Sequence, residues 1–370
     1  SLGAGKSSST LTPRSTANTM PPLGPQLLPL SGVKTGRHCD MSHRFVPCRM
    51  HRRLARAGLA TLVFLLIEAG AYAASGLLAG GNPSLRSFND LRAAAEKGDA
   101  ITGVPTGFAD LDRILLGLQP GTLNIVGARP AMGKSAFALN IAVHAARATN
   151  QPVLFFSLEM GKAELTQRIL ASEASVDGNV LRMGRPSEDD WSKIGRAVAR
   201  LDVPLIIDDS AGTTVGQIRA KARRTYSREG GLALIVIDYL QLMGGDGRPE
   251  NRQLEVSDIS RKLKLLAREF NVPVLALSQL SRQLEQRTDK HPTLSDLRES
   301  GALEQDADVV MFLYRGEIYE ADPNLKGLAD VNVSKHRAGP LGQFRLAWRG
   351  NITRFDNLAR DQVYEEAIGE

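Results

Sequence analysis

"TLNIVGARPAMGKSAFALNIAVHAA", residues 122–146, sets the reading of the whole chain. It opens with an apolar run of the kind that fills a strand buried on both faces. A short turn then ends in Gly133-Lys134-Ser135, and a helical pattern follows. Strand, turn and helix in that order are what a phosphate-binding loop requires. Backbone N–H groups wrap the phosphate oxygens, and the N-terminus of the helix adds positive potential. Strictly the pattern is A-x-x-x-x-G-K-S, with Ala128 at the position where Gly is more usual. Ala128, Arg129, Pro130, Ala131, Met132, Gly133, Lys134, Ser135 and Ala136 are therefore expected to surround a bound nucleotide. Gly133 permits close backbone approach, Lys134 reaches the β- and γ-phosphates, and the Ser135 hydroxyl ligates Mg²⁺. A second Gly-Lys-Ser lies in "SLGAGKS", residues 1–7. It lacks a strand pattern before it and a helical pattern after it, and it is not expected to bind nucleotide.

Outward from the loop, apolar runs recur at 153–158, 204–208, 232–238, 273–278 and 309–314. Helical patterns alternate with them at 162–175, 214–229 and 253–270, the second opening on the capping-box spacing Thr214/Gln217. This alternation predicts an α/β fold with a mostly parallel central sheet flanked by helices. From about residue 330 the pattern changes to strands joined by Gly-rich turns. Residues 101–358 are expected to form this domain and 359–370 an acidic tail.

The N-terminal region has a different character. Of the 370 residues, 1–56 carry nine Lys/Arg against Asp40 alone, whereas 57–370 sum to −2. The formal net charge of +6 belongs to this arm, so it does not mark the main domain as a general nucleic-acid binder. The arm is rich in Ser, Thr, Pro and Gly and is expected to be disordered. Both cysteines, Cys39 and Cys48, lie in it, with His38, His43 and His51 nearby. Their spacing is too irregular for the usual zinc frameworks. The rest of the chain therefore has no disulfide framework, and a cytoplasmic setting is expected. Residues 57–86 hold an apolar segment that can be read as signal-like, as membrane-spanning, as a helix packed on protein or as sequence not native upstream of the domain. "SFNDLRAAAEKGDA", residues 87–100, has the pattern of a linker helix.

Hydrolysis needs more than the loop. Asp238 closes the buried run "LALIVID" at the strand end where α/β sheets bind ligands, and is the candidate for the second Mg²⁺ contact. Glu159 ends "VLFFSLE", the strand after the loop's helix, and is the candidate general base for the attacking water. Gln279 ends "PVLALSQ", where a neutral amide can hydrogen-bond the γ-phosphate. In "VNVSKHRAGP", strand alternation puts Lys335 and Arg337 on one side and His336 on the other. Two such cations suit an anion, and arginines supplied by a neighbouring subunit are a known way to neutralise transition-state charge.

Together these strings resemble the motor domain of the DnaB-type replicative DNA helicases, hexameric ATPases with a RecA-like fold. The resemblance is carried by "ITGVPTGFADLD" (101–112), "GARPAMGKSAFALNIA" (127–142), "FFSLEM" (155–160), "VIDYLQLM" (236–243), "ENRQLEVSDISRKLKLLAREFNVPVLALSQLSR" (250–282), "LSDLRESGALEQDADVVMFLYR" (294–315) and "KHRAGP" (335–340). It implies ATP and Mg²⁺ as ligands, Glu159 as base, Gln279 as sensor, Asp238 at the metal, and Lys335 and Arg337 acting on a neighbour's nucleotide. It further implies a homo-hexamer moving 5′ to 3′ on single-stranded DNA. Arg298, Glu299 and Gly301 would follow the DNA phosphates, and the polar loop 244–253 would be a second channel element. A backbone-directed grip of this kind does not read bases, as a motor requires. A helicase loader is an implied partner. The family's helical collar domain, which engages primase, has no counterpart recognisable in residues 1–86, so primase binding is not expected. The competing expectation is a RecA-like, DNA-binding ATPase used as a regulatory module without unwinding.

Overall fold

The structure is a computed structural model that describes residues 101–244 and 252–358, without the side chains of 252, 253 and 298–300. The expectations for the arm with its cysteines, the apolar segment 57–86, the linker 87–100, most of the loop 244–253 and the tail 359–370 lie outside the described residues.

Six parallel strands form the core: β1 (Leu123–Ala128), β2 (Val153–Ser157), β3 (Leu205–Asp208), β4 (Leu234–Asp238), β5 (Val274–Gln279) and β6 (Val309–Tyr314). Three antiparallel strands extend it: β7 (Leu328–His336), β8 (Gly342–Arg349) and β9 (Arg354–Asn357). The order is β3-β2-β4-β5-β1-β6-β7-β8-β9. Every apolar run singled out in the sequence is a strand, and the antiparallel part begins at Leu328. Along β1, Ile125 packs into one apolar cluster and Val126 into the other. This two-sided burial is why the parallel strands read as unbroken hydrophobic runs. The antiparallel β7 alternates instead, burying Ala329, Val331 and Val333.

One face is covered by α2 (Lys134–Thr149), which follows the phosphate loop and inserts Phe137 and Ile141. The other is covered by α6 (Val215–Glu229) and α7 (Arg252–Phe270), through Ile218, Leu263 and Leu266. The capping box read at Thr214/Gln217 is formed, with the Thr214 hydroxyl accepting from the Gln217 N–H at 3.3 Å. Beyond β2 lie α3 (Lys162–Ala174), α4 (Gly178–Met183) and α5 (Glu188–Arg200). The lead-in "TGFADLD" folds on itself before α1 (Ala109–Leu115): Asp112 accepts from the Thr106 N–H and hydroxyl and from the Gly107 N–H. Among the described residues, no helix is long and apolar enough to cross a membrane.

Candidate active site

The phosphate loop leaves β1 at the centre of the sheet and is held from behind by residues of β8 and β9. Gly133 has φ of 92°, and a Cβ there would lie 2.8 Å from the Phe355 ring. Glycine is thus required both for the backbone and for the fit. Phe355 packs against Trp348 in a tilted pair with ring centroids 4.4 Å apart, and Arg315 lies over the Trp348 ring at 4.8 Å. The same guanidinium donates to the Ala131 carbonyl at 2.9 Å and pairs with Glu317. Strands β6, β8 and β9 therefore fix the shape of a loop made some two hundred residues earlier in the chain.

Not every loop residue read from the sequence faces the nucleotide space. Arg129, Pro130, Ala131, Gly133, Lys134, Ser135 and Ala136 line a cleft of 610 Å³. Ala128 is the buried end of β1, and the Met132 side chain is only 2% exposed, packed in the core. The Arg129 guanidinium donates to Glu285 and to the Leu280 carbonyl at 2.8 Å. Lining the cleft, it also ties the loop to the segment after β5.

The parallel register brings Glu159 and Gln279 to the same cleft. Asp238 ends β4 at its edge and is 0% exposed; its peptide to Tyr239 is cis. Both of its carboxylate oxygens lack a hydrogen-bond partner. The Ser135 hydroxyl lies beside them without completing full hydrogen-bond geometry. Burial pushes the Asp238 carboxyl above the usual carboxylate range, outweighing the opposing pull of Lys134, Ser135 and Arg168. Lys134 extends over the Tyr239 ring at 4.4 Å. Burial holds its ammonium pKa down, against Asp238 and Glu159, which pull it up. A buried carboxylate with two idle oxygens beside Ser135 suits a hard divalent cation that arrives with phosphates. Among the described residues no three His, Cys, Asp or Glu side chains gather into a metal cluster. An ion here would accordingly depend on the nucleotide for its other ligands.

Sequence reading missed four contributors. Arg168, on α3, lines the cleft and acts electrostatically on Asp238. Tyr239 supplies the ring beneath Lys134. Thr353, at φ of 50°, lines the cleft with a buried hydroxyl that has no partner. Gln241 donates to the Gln279 carbonyl at 3.1 Å and accepts from its N–H at 3.2 Å. Only Gln241 left a sequence trace, as a polar residue within "YLQLM".

Lys335 and Arg337 project together, as strand alternation suggested, but away from this cleft. Lys335 pairs with Val310, near the start of β6, whereas the phosphate loop leaves the opposite end of β1. His336, on the other side, bonds the Pro340 carbonyl at 3.1 Å. The backbone of 298–300 ends a 3₁₀ turn, Leu294–Ser300, and Gly301 opens the helix α8 (Gly301–Asp306) as an exposed residue. The Arg298 and Glu299 side chains lie outside the described residues.

A nine-stranded, mostly parallel sheet with a phosphate loop on a central strand and a strand-end carboxylate beside its Lys-Ser pair defines a RecA-like nucleotide-binding ATPase domain. The chain belongs to the DnaB-like helicase C terminal domain family, whose model matches residues 103–357. It is 49% identical over 280 residues to the replicative DNA helicase DnaB of Haemophilus influenzae, covering 75% of this chain and 60% of that protein. It is 48% identical over 278 residues to the replicative DNA helicase DnaB of Geobacillus stearothermophilus, covering 75% and 61%. The chain thus spans about three fifths of the length of these relatives. Among solved structures, one described as an ATPase domain superposes with a TM-score of 0.72 at 40% identity, covering 75% of this chain and 99% of that one. A DnaB-like replicative helicase, described with its interactions with primase, superposes with a TM-score of 0.70 at 40% identity, covering 74% and 66%.

Proposed function

We propose that this chain is the motor of a replicative DNA helicase. It hydrolyses ATP at the interfaces of a homo-hexameric ring in the cytoplasm, moves 5′ to 3′ along single-stranded DNA and unwinds duplex at the fork. A helicase loader is a fitting partner.

The observation that carries this reading is the placement of Lys335 and Arg337. Asn124, paired with Val309 beside their anchoring point, is four residues from the end of β1. That is about 13 Å along the strand, beyond the reach of a side chain to the chain's own loop. If this cation pair serves a nucleotide, it serves that of another copy, and the active site is divided between neighbours.

Within one cleft the roles follow from position. Lys134 meets the β- and γ-phosphates beside Asp238 and Glu159. Glu159, exposed at the end of the turn after β2, takes the proton from the attacking water. The Ser157 hydroxyl fixes that turn, accepting from the Met160 N–H at 3.2 Å and donating to its carbonyl at 2.7 Å. Gln279, held by Gln241, hydrogen-bonds the γ-phosphate and registers its loss. Ser135 and Asp238 would hold Mg²⁺, which when bound offsets phosphate charge. Arg298, Glu299 and Gly301 follow the DNA backbone, with the loop 244–253 as a second channel element.

The test is ATP turnover and forked-duplex unwinding by the full chain. Single-stranded DNA is expected to stimulate turnover, and Lys134→Ala to abolish both activities. Mixing Lys134→Ala with Arg337→Ala, each inactive alone, is expected to restore part of the turnover, because some interfaces then pair an intact loop with an intact arginine. No restoration would refute the divided site. Stimulated turnover without unwinding would favour the non-unwinding ATPase module.

A further inference from the structure

Lys335 and Arg337 are already engaged within their own chain. Lys335 Nζ donates to the Glu304 carbonyl and to the Gln305 carbonyl at 3.5 Å. Arg337 Nη2 donates to the same Gln305 carbonyl. These are among the last carbonyls of α8, which a helix end leaves without internal partners. Two cations there also oppose the negative end of the helix dipole. They crowd each other: burial, then the neighbouring Arg337 charge, hold the Lys335 ammonium below its ordinary pKa.

The same C-terminal end of α8 is also tied to α7, and Asp308, just beyond it, faces the Arg337 guanidinium at 3.8 Å. Asp306 bonds the Ser260 hydroxyl of α7, and Asp308 pairs with Lys264 of α7 at 2.5 Å. The Arg337 backbone N–H bonds the Asp308 carbonyl at 2.9 Å. The other end, Gly301, continues directly from the turn that carries 298–300. Losing the two cations therefore uncaps the last turn of a helix only six residues long, whose first residue is joined to that turn.

We propose that Lys335 and Arg337 exchange partners. Without a triphosphate on the neighbouring copy they cap α8 of their own chain; with one they leave the cap for its terminal phosphate, and α8 is released. This rests on the divided-site reading above and deepens it. It makes the same two side chains both the groups that complete a neighbour's site and the clasp on their own chain's candidate DNA loop. Phosphate oxygens are the stronger acceptors for both cations, since hydrogen bonds between ionised partners exceed those to a neutral carbonyl. One side chain cannot satisfy both at once, because the carbonyls belong to its own chain and the phosphate to the next.

Amide hydrogen exchange of the full chain, followed by mass spectrometry on peptides spanning 301–308, tests this. In nucleotide-free protein, Lys335→Gln combined with Arg337→Gln is expected to speed exchange in α8 about tenfold, the size of a lost charge-assisted hydrogen bond. Peptides over β8 should be unchanged, which excludes general unfolding. Unaltered α8 exchange in that variant would overturn the cap. Adding a non-hydrolysable ATP analogue with Mg²⁺ to wild type should speed α8 exchange similarly, and should leave Lys134→Ala unaffected. If wild type binds the analogue and assembles but α8 stays protected, the exchange of partners is refuted while the divided site stands. If the analogue neither binds nor promotes assembly, the motor reading fails and the exchange with it, whatever the nucleotide-free variant shows about the cap.

Discussion

The Gln241 side chain clasps the backbone of Gln279, donating to its carbonyl at 3.1 Å and accepting from its N–H at 3.2 Å. It also donates to the Ser278 hydroxyl at 3.0 Å. The turn after β4, which carries Asp238, is thereby joined to the end of β5. The position of the Gln279 amide is set by the strand that bears the candidate metal ligand.

Gln241→Ala should lower ATP turnover about tenfold while leaving KM for ATP within about twofold, because it removes two hydrogen bonds that aim Gln279 and none that hold the nucleotide. Steady-state kinetics with single-stranded DNA checks this. An equal loss in Gln241→Glu, which keeps an acceptor but loses the donor, would assign the effect to the carbonyl contact.

Asp238→Asn should stabilise the nucleotide-free protein while removing Mg²⁺-dependent stabilisation by ATP. The native carboxyl is held above its ordinary pKa. Below the usual carboxylate range both folded and unfolded chains carry the proton, and no penalty arises. As pH rises through that range and on through the raised native value, the folded state must bury an unpaired charge and loses stability. The advantage of the variant should be absent at about pH 2 and grow toward neutrality, to about 1–3 kcal/mol. Melting temperature against pH gives the measurement, with a rise of a few degrees, roughly 2–4 °C per kcal/mol, at neutral pH.

Glu159→Gln should reduce turnover about 10²–10⁴-fold, the usual worth of a positioned base, while leaving binding of a fluorescent ATP analogue within a few-fold of wild type. Single-turnover measurement separates this from slow product release. A fall in analogue affinity that accounts for the lost rate would remove Glu159 from the chemistry.

Arg315→Lys should raise KM for ATP about tenfold with a smaller effect on kcat. Lysine keeps the charge but loses the bidentate pairing with Glu317 and the stack on Trp348, leaving the Ala131 carbonyl without its partner. The same variant should show faster hydrogen exchange in the phosphate loop.

The sheet was legible in the sequence for one reason: parallel strands covered on both sides are largely apolar, so polar side chains at their C-terminal ends stand out. Asp238 and Gln279 each end such a run. Glu159 lies two residues past Ser157, and register alone brings these groups together. Arg168 was not legible because it sits midway along α3 among other polar residues, and its sequence neighbours do not reveal that it faces Asp238. Trp348, Phe355 and Thr353 reach the loop through antiparallel pairings, which local pattern cannot align with a distant segment. Nor could local pattern show that Glu285, in the segment following β5, pairs with Arg129.

The backing of Gly133 by Phe355 orders events during synthesis. The ribosome makes the phosphate loop first among the site's parts, yet the ring that shapes it emerges only with the last strand, β9. Until residue 357 has cleared the exit tunnel, the nascent chain lacks the floor of its nucleotide cleft. A complete nucleotide cleft therefore waits for the synthesis of β9.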